Sequence, residues 1–172
     1  MSLRGRQNST NMLVATASFL VVRLGHTYLA LPATGVRGVL TQEEAGHERT
    51  VTTAGSLYRP VDLAQQLSIV ANLSGIEMRT VLYSAGGFLG AICVEQVVGL
   101  IDVERNKYLP LPPQFRGDER NWFGGMMLYQ DQLVLILNPS WALGALSSAE
   151  PASLERTEQL VKIAPAAVGE SC

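Results

Sequence analysis

The sequence predicts an all-β domain, a barrel or sandwich of short strands with only brief helical segments. Three observations carry this. Roughly eight short apolar runs rich in Val, Leu, Ile, Phe and Tyr are each bounded by turn residues. Nothing in the chain alternates strands with long helical segments, which excludes a doubly wound nucleotide-binding fold. Sixteen Gly and eight Pro against only 16% charged residues suit many turns and leave room for exposed apolar surface.

The elements follow in order. Residues 1–16 are expected to form a flexible N-terminal segment. Arg4 and Arg6 precede the apolar run from Met12 to Val22, a pairing that superficially resembles a secretory leader. The run is only about eleven residues long, against the roughly twenty that cross a bilayer, and Arg23 ends it with no cleavage site at the right distance. It therefore reads as a first strand. Ala17–Leu24 and Thr27–Leu31, separated by Gly25-His26, form a predicted hairpin. Pro32 ends it, and a glycine-broken stretch through Gly35 and Gly38 follows. Residues 41–50 read as a solvated polar loop, with Glu43, Glu44, His47 and Glu48 as a hydrated charge run.

Val51–Asp62 resumes a strand-like pattern, and Asp62–Leu67 reads as one or two helical turns with Asp62 as N-cap. Arg79–Ala85 and Phe88–Val94 are strands around a Gly86-Gly87 turn, and Val97–Val103 continues the sheet. An extended loop follows at Pro110, Pro112 and Pro113. Trp122–Tyr129 and Gln132–Leu137 make a last hairpin around Gln130-Asp131, with Trp141–Leu146 as a short helix after Pro139. The domain is expected to span 17–146, with a tail over 147–172 that changes to Ser, Ala, Glu and Pro. Within the tail, Leu154–Ile163 has helical spacing, with Leu154, Val161 and Leu160 toward one side. The hairpins at the two ends leave room for two small barrels sharing a core, one drawn from roughly residues 27–80 and the other from the flanking segments.

Chemistry is sparse. A net charge of -2 and a pI near 5.7 argue against nucleic acid, which wants a clustered positive excess. The aromatic residues Tyr28, Tyr58, Tyr83, Phe88 and Tyr129 are spread one per strand without interleaved Lys or Arg, so packing explains them better than base stacking. Trp122 and Trp141 are assigned to packing as well. His26 and His47 are the only histidines, and neither H-x-x-x-H nor C-x-x-C occurs, so no metal site or cofactor is expected. No phosphate loop and no nucleophile elbow is present, and Gly86–Gly90 reads as a hairpin turn. Of the two cysteines, Cys93 and Cys172, the first lies in an apolar run and reads as a buried core thiol. The expected protein is not an enzyme. A small ligand-binding or catalytic β-barrel is the other class left open, and convergence of polar groups in a pocket would distinguish it.

Several segments, in order, resemble the CheW-like domain family. Phe19–Pro32 followed by Val36-Arg-Gly-Val39 is similar to the family's opening hairpin and V-x-E-V segment. Gly55-Ser-Leu-Tyr-Arg-Pro-Val-Asp-Leu63 is similar to its R-G-x-x-x-P-x-x-D-L stretch, and Val94-Glu-Gln-Val97 to its V-D-x-V. Pro110–Pro113 falls at the proline loop, and Gly125–Asn138 at the closing hairpin. The resemblance covers roughly residues 17–146. It implies two interlocked SH3-like β-barrels, a cytoplasmic setting, no catalysis and no membrane insertion. It implies as partners the regulatory domain of a CheA-type histidine kinase and the cytoplasmic tip of a chemoreceptor, in an adaptor of a twitching or other divergent system. By family position, Val36, Gly38, Val39, Ala54, Gly55, Val97 and Val98 are expected to line the partner groove. Gly38 stands where the family usually has Glu, and Ala54 where it usually has Arg. Glu95 replaces the usual Asp, and Pro60 lies one place late. The implied groove is less electrostatic than the family norm.

Overall fold

The computed structural model describes residues 14–46 and 50–144. The helix expected at 154–163, the tail, His47 and Glu48 lie outside the described residues. The chain begins with β1 (Thr16–Leu24) and β2 (Thr27–Pro32), paired antiparallel across Gly25, whose φ of 57° suits a glycine in a tight turn. β3 (Val36–Thr41) leads into α1 (Gln42–Ala45). β4 (Val51–Thr53), β5 (Ser56–Val61) and α2 (Leu63–Gln66) follow. Then come β6 (Arg79–Ala85), β7 (Phe88–Val94) and β8 (Gln96–Glu104). The last elements are α3 (Glu119–Trp122), β9 (Phe123–Tyr129) and β10 (Gln132–Leu137), with residues 139–144 helical.

Two five-stranded curled sheets result, ordered β8-β1-β2-β10-β9 and β3-β6-β7-β5-β4. The all-β expectation of two small barrels is met. The division differs from the one expected at 27–80: the inserted barrel is β3 to β7, Val36–Val94, and β2 belongs with the chain ends. Parallel pairing of β2 with β10 joins the first hairpin to the last. A second parallel pair, β5 with β7, completes the inserted sheet.

Each sheet buries its own small cluster. Phe19, Val21, Ala30, Met127, Val134 and Ile136 fill the first, and Val51, Tyr58, Leu82 and Ala91 the second. The largest cluster lies between them. It takes Leu20, Val22, Leu24, Leu29 and Leu31 from one sheet and Val61, Val81, Tyr83, Ile92 and Val94 from the other. Both faces of β1 are thus apolar, since alternate residues serve alternate cores. This interlocks the barrels. Tyr83 anchors the seam: its hydroxyl donates to the Pro32 carbonyl at 2.6 Å, and a Cβ on Gly35 would fall 2.3 Å from its ring. Burial pushes the Tyr83 phenol up to about 12.

Local expectations fared unevenly. The turns at Gly86-Gly87 and Gln130-Asp131 form with positive φ throughout, as tight hairpins require. Asp62 caps α2, its carboxylate accepting from the Gln65 N–H at 2.9 Å. The strand-like stretch Val51–Asp62 is a hairpin turning at Ala54-Gly55, with φ of 48° and 76°. The polar loop at 41–50 starts as α1. Thr41 and Glu44 form a capping box, Glu44 N–H donating to the Thr41 hydroxyl and Thr41 N–H to the Glu44 carboxylate at 2.8 Å. These contacts hold the Glu44 carboxyl below its ordinary range. Glu43 and Glu44 are exposed, as a hydrated run should be. Trp122 ends α3 rather than starting β9, and stacks on Trp141 with centroids 5.2 Å apart.

Candidate partner-binding groove and the barrel junction

The predicted groove residues fall on three elements. Val36, Gly38 and Val39 lie on β3, the edge strand of its sheet, paired with Tyr83, Leu82 and Val81 of β6. A bulge between Val36 and Gly38 changes the alternation there. Val36 is half-buried and packs against the inter-barrel core, whereas Val39 is 40% exposed. A side chain at Gly38 would meet only Leu82 Cδ1, at 3.7 Å. Ala54 and Gly55 form the exposed tip of the β4–β5 hairpin, at the other end of the strand order. Val97 and Val98 lie on β8 in the other sheet. Val97 packs against the inter-barrel core beside the same cluster as Val36, while Val98, at a bulge opposite Val21 and Val22, turns toward the first barrel's own core. The structure therefore brings Val36 and Val97 to one cluster across the seam and sets Val39 on an open edge.

The junction between barrels carries a polar cluster that no local pattern announced. β7 ends in the inserted sheet, and the chain crosses at Glu95 to pair β8 with β1. The Glu95 carboxylate accepts from Gly25 N–H and Asn72 N–H, both at 3.0 Å, and pairs with the Arg23 guanidinium at 3.1 Å. Arg23 also donates to Gln96 at 3.1 Å and to the Gly25 carbonyl at 3.2 Å. The two backbone donors, Asn72 first, hold the Glu95 carboxyl below its ordinary value, with Arg23 and His26 adding to the effect. One side chain thus ties the β1–β2 turn, the crossover and the segment after α2. Its partners lie 23 and 70 residues away along the chain, so sequence spacing carried no signal.

A cleft of about 590 Å³ opens where α1, α2 and the segment after α2 meet the inserted sheet. Val51, Pro60, Val61, Leu73, Met78 and Ala91 give it apolar walls. Cys93 lines it too and is half-buried, a correction to the buried core thiol expected: it sits opposite Thr80 on adjacent strands, Sγ and Oγ1 3.9 Å apart, at the open end of the sheet. The polar groups here serve the fold. Asp62 caps α2, and Gln66 Nε2 donates to the Ala142 carbonyl at 3.5 Å. Gln66 Oε1 is buried with no partner, as is the Tyr108 hydroxyl elsewhere among the described residues. Among the described residues, no group of three His, Cys, Asp or Glu converges to hold a metal ion, and no helix is long and apolar enough to cross a membrane.

Two curled β-sheets interlocked through a shared core, with an exposed edge strand, define a double-barrel protein. The chain belongs to the CheW-like domain family, which matches residues 18–145. Among solved structures it is similar to the scaffolding protein TtCheW from Thermoanaerobacter tengcongensis, with a TM-score of 0.62 and 14% identity over 80% of this chain and 90% of that one. At that identity the shared feature is the fold. A search among curated proteins finds no significant match.

Proposed function

We propose that this chain is a non-enzymatic adaptor of a chemosensory signalling assembly, coupling chemoreceptors to a CheA-type histidine kinase in the cytoplasm. The family match along residues 18–145 carries the reading. The geometry is compatible with it: β3 offers an unpaired backbone edge bearing Val39, next to an apolar seam suited to a helical partner. In this reading Val36, Gly38, Val39, Ala54, Gly55, Val97 and Val98 contribute to the partner groove. The receptor contact relies on apolar burial more than on charge, because Gly38 and Ala54 supply no ionic side chain.

Two experiments test it. Affinity capture from the source cell should recover a histidine kinase or a chemoreceptor, and capture of neither would count against the adaptor role. Val39→Asp should leave the fold intact, because Val39 is already 40% exposed, and should weaken receptor capture. Unchanged capture by a folded Val39→Asp variant would remove β3 from the groove.

A further inference from the structure

We propose that the cleft of about 590 Å³ is an unfilled mouth of the inserted barrel and binds a small, uncharged apolar molecule with one hydrogen-bonding head, such as an alcohol. The inference is independent of the adaptor reading. It begins from side-chain alternation on β5, β6 and β7. Pro60, Ala91 and Leu82 lie on one rung of the sheet, and Leu82 and Ala91 pack with Tyr58 and Val51 in the barrel's own cluster. The next rung on the same face is Cys93 beside Thr80, and both line the cleft. Inward side chains normally fill a small barrel. This last rung is made of short ones, so the interior stays open, walled by Leu73 and Met78.

The lining selects the ligand. The volume falls in the range of small-molecule sites, roughly 300–1,000 Å³, and barrel mouths are a usual place for them. Thr80 is 3% exposed, the one buried polar residue among those described. Its hydroxyl meets only the Cys93 thiol, at 3.9 Å, and sulfur is a weak partner. A hydroxyl or amide head would complete it, whereas Asp62 and Gln66 are already engaged with α2 and the Ala142 carbonyl. No Lys or Arg lines the cleft, and Asp62 stands exposed on its rim without an ion pair among the described residues. An anionic head would be desolvated beside neutral groups and repelled by Asp62. A cationic head would stay at the rim and leave the Thr80 hydroxyl unmet.

Cys93 supplies the readout. In the full-length chain carrying Cys172→Ser it is the remaining thiol, and its reaction with dipyridyl disulfide reports access to the cleft. Naphthol should slow that reaction saturably. Naphthalenesulfonate and naphthylmethylammonium should each need a concentration roughly tenfold higher for half-protection. Thr80→Val keeps the shape and removes the hydroxyl, and should raise the half-protecting naphthol concentration about threefold to tenfold. Absence of protection by naphthol would overturn the proposal, as would a charged analogue protecting equally well. An unchanged naphthol requirement in folded Thr80→Val would also overturn it. Should that variant not fold, the comparison of the three probes on the Cys172→Ser chain still decides. Protection that grows with protein concentration alone would assign the cleft to a second copy and overturn the proposal.

Discussion

Gly90 is where the last helix and the inserted barrel test each other. It lies in mid-β7, paired with Arg59 and Tyr83, and its φ is ordinary. On backbone grounds alone, Gly90→Ala should stabilise the protein by about 0.4–1 kcal/mol, because the unfolded chain loses freedom. The tertiary structure reverses the sign. A Cβ at Gly90 would fall 2.1 Å from Leu143 Cδ2 and 2.9 Å from Val61 Cγ2, against the roughly 3.5 Å at which carbon atoms touch. Leu143 and Val61 are each 1% exposed, so neither has room to retreat, and Val61 is stiff at χ1. Gly90→Ala should therefore cost about 1–3 kcal/mol, the usual range for an overpacked core. Leu143→Ala alone should cost about 2–5 kcal/mol by leaving a cavity. Combined, the new methyl enters the vacated space, so the double variant should lose less than the two single losses together. Urea unfolding followed by Trp fluorescence is the assay, with the Trp122–Trp141 stack as reporter beside Leu143. Additivity within about 0.5 kcal/mol, or a stabilised Gly90→Ala, would mean that the 139–144 helix does not pack over β7.

Three further outcomes follow from the polar groups and the groove. Glu95→Gln should lower the melting temperature at neutral pH. Because the folded carboxyl lies below its ordinary value of 4.5, the gap between wild type and variant should close as the solution is acidified through the lowered value, and a gap unchanged at acid pH would refute the ionic role. Tyr83→Phe should cost about 1 kcal/mol by freeing the Pro32 carbonyl. The wild type should also lose stability as pH rises from the ordinary 10 toward about 12, more steeply than the Phe variant in thermal melts, and parallel curves would show that Tyr83 does not carry the effect. Gly38→Glu with Ala54→Arg should be better tolerated together than singly if the two positions face one groove, and a thermal double-mutant cycle additive within about 0.5 kcal/mol would separate them.

Local chemistry was readable from the residues themselves. Gly25 and Gly86-Gly87 turn the chain because glycine adopts positive φ at little cost, and Asp131 tolerates it in the last hairpin. Asp62 begins α2 because its carboxylate reaches an N–H three residues on. The capping box of Thr41 and Glu44 was equally local, but the charge around it masked a helix of only four residues. Likewise Ala54-Gly55 was missed as a turn because Ala rarely adopts φ of 48° without tertiary support.

The strand inventory and its apolar character thus belong to the sequence, because side-chain alternation and turn preference act over a few bonds. Tertiary structure alone decided which sheet each strand joins. β8 leaves β7 for β1, β2 meets β10 in parallel, and Cys93 comes to line a cleft. Glu95 gathers donors 23 and 70 residues away. These pairings are set by burying one face of β1 between two barrels, a condition satisfied only when the whole chain has closed around it.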